Sequence, residues 1–117
     1  MKRLLIALSM VLFFVCSTVQ AEIQDTKERL IHDTLITTLT PHIANAVAGH
    51  YGELTQFDLF DAEFLDIKRQ TEGGYSFTVK VQILPFEGAH NTIGKDTITM
   101  DVNTGNVRVI KYEHKDL

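Results

Sequence analysis

The side chains able to do chemistry in this chain are few, and the histidines come first. There are five, His32, His42, His50, His90 and His114. An imidazole can carry a proton near neutral pH or ligate a transition metal. None of the five stands in a His-x-x-x-His or His-Glu-x-x-His spacing. His42 and His50 lie about two helical turns apart, too far for one ion. His90, Glu113 and His114 would form a set of three suited to zinc if the last strand ended beside the His90 loop. The plainer expectation is histidines at the surface or in hydrogen bonds. No metal ligand is assigned.

His90 belongs to the stretch "PFEGAHNTIGKDTITM", residues 85–100. Pro85 is tolerated at a strand end. Gly88 and Gly94 allow backbone conformations that other residues resist. His90 and Asn91 can bond to backbone groups and brace a long turn, and Asp96 can accept from loop amides. The same loop, held on a sheet, is also where a ligand or partner would be met. The expected site is therefore a binding one, His90, Asn91, Asp96 and His114. It has no catalytic residue, no metal and no cofactor.

Other chemistries lack their residues. Ser76 is the one serine beyond the N-terminal segment, and it sits in mid-strand without a Gly-x-Ser-x-Gly context, which argues against a serine hydrolase. Gly73-Gly74 falls between strands, not before a helix, so it is no phosphate loop. Asp58, Asp61, Glu63 and Asp66 are close enough for acid–base work, but read as a solvated acidic edge.

The N-terminus reads as a secretory signal. Lys2 and Arg3 precede an apolar run from Leu4 to Val15. Small and polar residues follow, and Val19-Gln20-Ala21 places the expected cut after Ala21. The apolar run is shorter than the ~20 residues a spanning helix needs. A retained anchor and lipidation at Cys16, which follows Val15, are the alternatives. With cleavage, residues 22–117 form a single secreted domain on the extracellular or cell-wall side, with no stable membrane span. That domain contains no cysteine, hence no disulfide and no thiol nucleophile. The formal net charge is −4, and loss of Lys2 and Arg3 makes it more negative. This argues against a nucleic-acid binder and against docking on anionic lipid, both of which need a basic face. The expected partner is a protein or peptide.

These residues must be positioned by a small set of elements. Asp25 with Glu28 resembles a capping box. Ile31, Leu35 and Leu39 repeat at helical spacing, and the rhythm continues through Ile43, Ala46 and Val47 beyond Thr40-Pro41. The spacing predicts two successive helices, with Thr40 capping the second, or one sharply kinked helix, ending near Gly49–Gly52. Tyr75, Phe77, Val79, Val81 and Ile83 alternate with polar residues, a strand with one buried face. Residues 62–69 read as its partner, although Phe57, Phe60 and Phe64 allow a short helix. Ile98, Met100 and Val102 alternate in a third strand. Asn103-Thr104-Gly105-Asn106 is a tight turn, and Val107 to Tyr112 returns. The expectation is an α+β fold: a helix pair or kinked helix on a four-stranded antiparallel meander, a cystatin-like two-layer sandwich.

"LTPHIANAVAGHYG", "PFEGAHNTIGKDTIT" and the closing "KYEH" together resemble a family of small secreted proteins of Bacillus-type bacteria, known as a domain of unknown function. The resemblance spans nearly all of residues 22–117. It implies a signal peptide and a single domain, and no activity. "DVNTGNVRVI" is similar to the hairpin of PepSY-type extracellular domains, some of which are proposed to regulate peptidases. The functional expectation is a secreted non-enzymatic domain that binds a peptide, a protein or a cell-envelope component. The alternative is a metal-dependent or small-ligand site centred on His90.

Overall fold

The computed structural model describes residues 25–117, so the expected signal segment and its cut lie outside the described residues. No helix among the described residues is long and apolar enough to cross a membrane. The helix of the described residues, α1, runs Lys27–Tyr51. Thr26, not Asp25, caps it. Its Oγ1 accepts from the Arg29 amide at 3.1 Å and its carbonyl accepts from Leu30 at 3.0 Å. Thr26 directly precedes the first helical residue, and only there can a side-chain oxygen reach the third amide of the turn.

Of the two expected arrangements, the single helix forms. Pro41 lies inside α1. Ile36, Leu39, Ile43 and Val47 are all essentially inaccessible, in unbroken helical phase across the proline. Each such burial stabilises the fold by about 1.5–3 kcal/mol, enough together to hold the helix through a residue that removes one backbone bond. Thr40 does not cap a second helix. Its hydroxyl donates back to the Ile36 carbonyl at 2.7 Å, as Thr38 does to Thr34 at 2.8 Å. α1 ends where expected. Gly52 adopts φ 75°, and its amide donates to the Ala48 carbonyl at 2.9 Å. A residue with a Cβ resists that left-handed turn.

Six strands follow: β1 Glu63–Arg69, β2 Phe77–Ile83, β3 Phe86–Glu87, β4 Asn91–Thr92, β5 Asp96–Val102 and β6 Val107–Glu113. The main sheet is antiparallel in the order β1-β2-β5-β6. Its inner face presents Val79, Val81, Ile83, Ile98 and Met100 to the stripe of α1, and these form one core. The α+β expectation and the four-strand meander are thus the observed fold. The short helix allowed around Phe57–Phe64 is not formed. Residues 59–62 make a turn, and the Gln56 carbonyl is taken by the Phe86 amide at 2.9 Å.

The stretch from Pro85 to Asp96 is more ordered than a long turn. β3 and β4 pair as a small hairpin, Phe86 with Thr92 and Glu87 with Asn91. Its tip needs left-handed backbone at both ends, Gly88 at φ 58° and His90 at φ 60°. At the far end of the sheet, Asn103 Oδ1 accepts from the amides of Gly105 and Asn106, closing the β5–β6 turn as its sequence predicts.

Candidate functional site

The site is built around Asp96, the first residue of β5. Its side chain is 0% exposed. A carboxylate taken out of water must find donors among its neighbours. It finds three. The hydroxyls of Tyr51 and Tyr112 donate to Oδ2 at 2.7 and 2.6 Å, and His114 Nδ1 lies 2.7 Å from Oδ1. The second nitrogen of His114, Nε2, is 2.7 Å from Asp116 Oδ1. His114 is thus held between two carboxylates, which suits a ring with hydrogen on both nitrogens.

These contacts set the titration behaviour. The hydrogen bond His114 donates to Asp116, and after it the one it donates to Asp96, holds the His114 pKa above the usual histidine value. Burial, reinforced by the bond to Asp96, pushes both tyrosine pKa values up. Tyr51 and Tyr112 therefore stay protonated donors throughout the ordinary pH range.

Three features of the chain bring the groups together. α1 delivers His50 and Tyr51 from its last turn, just before Gly52 ends it. β6 carries a bulge. Val109 pairs with Met100 and Lys111 with Thr99, which leaves Ile110 as the extra residue. Strand side chains alternate, so one inserted residue exchanges the faces of everything beyond it. Val107 and Val109 face inward, and after Ile110 the inward positions become Tyr112, opposite Ile98, and then His114, beside Asp96. Without the bulge, both would point to the outer face. Gly94 supplies the third feature. A Cβ there would lie 2.5 Å from His114 Cε1 and 2.7 Å from Asp96 Oδ1. Only a residue without a side chain lets the ring and carboxylate close over the backbone.

His50 completes the cluster. Its ring stacks on Tyr112, with centroids 4.4 Å apart, meets Tyr51 edge-on at 4.7 Å, and lies 5.3 Å from the His114 ring. One ligand-type atom each from His50, Asp96 and His114 lies within 4.8 Å of the others. Beside them an open groove of about 380 Å³ is lined by His42, Asn45, Ala46, His50, Val109 and Tyr112.

The four residues singled out in the sequence separate into two places. Asp96 and His114 come together. His90 does not join them. Its ring stacks on Phe86, centroids 4.1 Å apart, and its Nε2 lies 3.3 Å from Asp58 Oδ2. It makes no hydrogen bond, ion pair or ring contact with His114 among the described residues. Asn91 is exposed on β4. The imagined triplet of His90, Glu113 and His114 is therefore not assembled. Glu113 instead pairs with Lys111 at 2.6 Å. The sequence reading missed His50, Tyr51 and Tyr112. The adjacent His-Tyr pair just before a helix-ending glycine was the available signal for the first two. Tyr112 could not be placed without the bulge.

The model of the family described as Protein of unknown function (DUF3888) matches residues 31–116. This chain belongs to that family. The matched span includes every residue of the cluster described above, from His50 to Asp116. No curated protein and no solved structure matches this chain, so the cystatin-like comparison rests on element order alone.

Proposed function

We propose that this DUF3888 protein is a secreted, non-enzymatic binding domain that takes a peptide segment of a partner protein in the groove beside His50 and Tyr112. The observation that carries the reading is the groove itself. Ala46, Val109 and the Tyr112 ring give it an apolar floor, while His42, Asn45 and His50 place polar groups at its rim. That mixture suits a segment offering one apolar side chain and one or two hydrogen-bonding groups. Tyr112 is hydrogen-bonded to Asp96 and the His50 ring stacks on it, so little conformational freedom of the tyrosine is lost when a ligand arrives. The Lys2–Arg3, Leu4–Val15 and Ala21 pattern supports secretion.

Asn45 is exposed at the rim, and an arginine there would project over the groove. Capture experiments from culture medium and cell wall should recover a specific protein with the wild type and lose it with Asn45→Arg. Equal recovery by both, or none above background, would overturn the reading.

A further inference from the structure

The groove beside His50 and the two edges of the main sheet offer binding surfaces, but the cluster at the end of α1 offers a defined chemistry. We propose that His50, Asp96 and His114 form a site for a divalent transition-metal ion, with zinc as the fitting ion. The proposal goes beyond the peptide reading and does not depend on it.

The donor set is two imidazoles and one carboxylate. Three nitrogen or oxygen ligands with a fourth position open is a zinc arrangement, whereas calcium and magnesium call for mostly oxygen ligands. The three groups come from three separate elements and converge so that one donor atom of each lies within 4.8 Å of the others. Two ligands of one zinc, with bonds of ~2.0–2.1 Å at a tetrahedral angle, stand about 3.3 Å apart. His114 Nδ1 and Asp96 Oδ1 stand 2.7 Å apart, so the ring must retreat by about 0.6 Å. His114 lies beyond the last residue of β6, and its outer partner Asp116 is 93% exposed. Asp116 can follow the ring through that retreat.

The surroundings also suit a cation. Asp96 and Asp116 both face His114, and no lysine or arginine pairs with either among the described residues. Tyr51 and Tyr112 both bind Oδ2, which fixes the carboxylate and leaves Oδ1 facing His114. Hydroxyls that orient a ligating carboxylate are the outer-shell partners metal sites use. His50 is exposed, which gives the ion a path in from solvent. When zinc binds, the hydrogen between Nδ1 and Oδ1 leaves to solvent, and both atoms become donors to the metal.

The test is a zinc titration of tag-free protein against a chromophoric chelator of micromolar affinity. One Zn²⁺ per chain is expected. His50→Ala and His114→Ala should each weaken binding by at least ~10-fold, and Tyr112→Phe by ~10–100-fold through the carboxylate it orients. His90→Ala should bind as the wild type does. The proposal is overturned if the wild type takes up no zinc. It is equally overturned if both ligand variants keep wild-type affinity, or if excess Ca²⁺ displaces the zinc. His50 is exposed, so His50→Ala tests the site without disturbing the buried network. The titration contains no partner, so its failure and that of the peptide reading are separate results.

Discussion

Asp96 is the residue on which the site turns, and its neighbours are constrained by it. Gly94 is the sharpest case, because the space a Cβ would take is already filled by the His114 ring and by Asp96 Oδ1. Gly94→Ala must push the ring off the carboxylate or shift the strand. We expect a loss of about 1–3 kcal/mol in denaturant unfolding, the usual cost of inserting a group into a packed interior. A variant as stable as the wild type would show that the ring is not held there. His114 also gives a pH dependence. Its pKa is raised in the folded state by Asp116 and then Asp96. Its contribution to stability is therefore fully present below the unfolded value near 6.5 and fades as pH rises through the higher folded value. In metal-free protein, the melting temperature of the wild type should exceed that of His114→Ala in mild acid. The gap should close toward alkaline pH. A gap that widened with rising pH would contradict the arrangement. The sequence pointed to Asp96 and His114 because a loop carboxylate and a terminal histidine are both chemically able. It did not point to Tyr51 or Tyr112, because a tyrosine reads as an apolar ring until its hydroxyl has a partner.

At the scale of elements, what could be read from the sequence was whatever repeats. Phe77 to Ile83 alternates over a full strand, so that strand was predicted. The helix was predicted on a stripe running from Ile31 through Leu35 and Leu39 to Ile43 and Val47; Leu39, Ile43 and Val47 are buried, but Ile36 and not Ile31 continues the buried face. β3 and β4 are two residues each and have no period to detect. Their pairing comes from Gly88 and His90 in left-handed conformations and from the Phe86 amide on Gln56. The bulge at Ile110 left no trace either, because a register shift exists only between two strands. Pro41 misled for a different reason. Local chemistry argued for a break, and packing of one continuous apolar face overrode it. This has a measurable consequence. Pro41 is exposed, so replacing it touches no core contact. Pro41→Ala restores an amide able to bond the Thr37 carbonyl and removes the ring from the helical turn. We expect it to stabilise the protein by about 1–3 kcal/mol, read from the shift in denaturant midpoint. A destabilised variant would mean that the proline's shape is itself required, for instance to seat Ile43 against the sheet.

For the whole molecule, the question is what holds a chain of this size together in the compartment we propose for it. Small secreted domains commonly use disulfides because a small core supplies limited stability. This chain has a single cysteine, Cys16, inside the segment we expect to be removed. The described residues contain none. Stability must then come from the core between α1 and the sheet, and from the polar network that satisfies Asp96. Among the described residues, no buried side-chain polar atom lacks a hydrogen-bond partner. Such a fold has nothing to lose to a reductant. Protein recovered from the medium should begin at Glu22 by N-terminal sequencing, and its thermal midpoint should be the same with and without dithiothreitol. A recovered chain that still carried Cys16 would favour anchoring or lipidation over release. A midpoint that fell on reduction would show that Cys16 persists and cross-links two chains, since no second cysteine exists within one. Both outcomes depend on the fate of the first 21 residues and leave the fold of residues 25–117 as described.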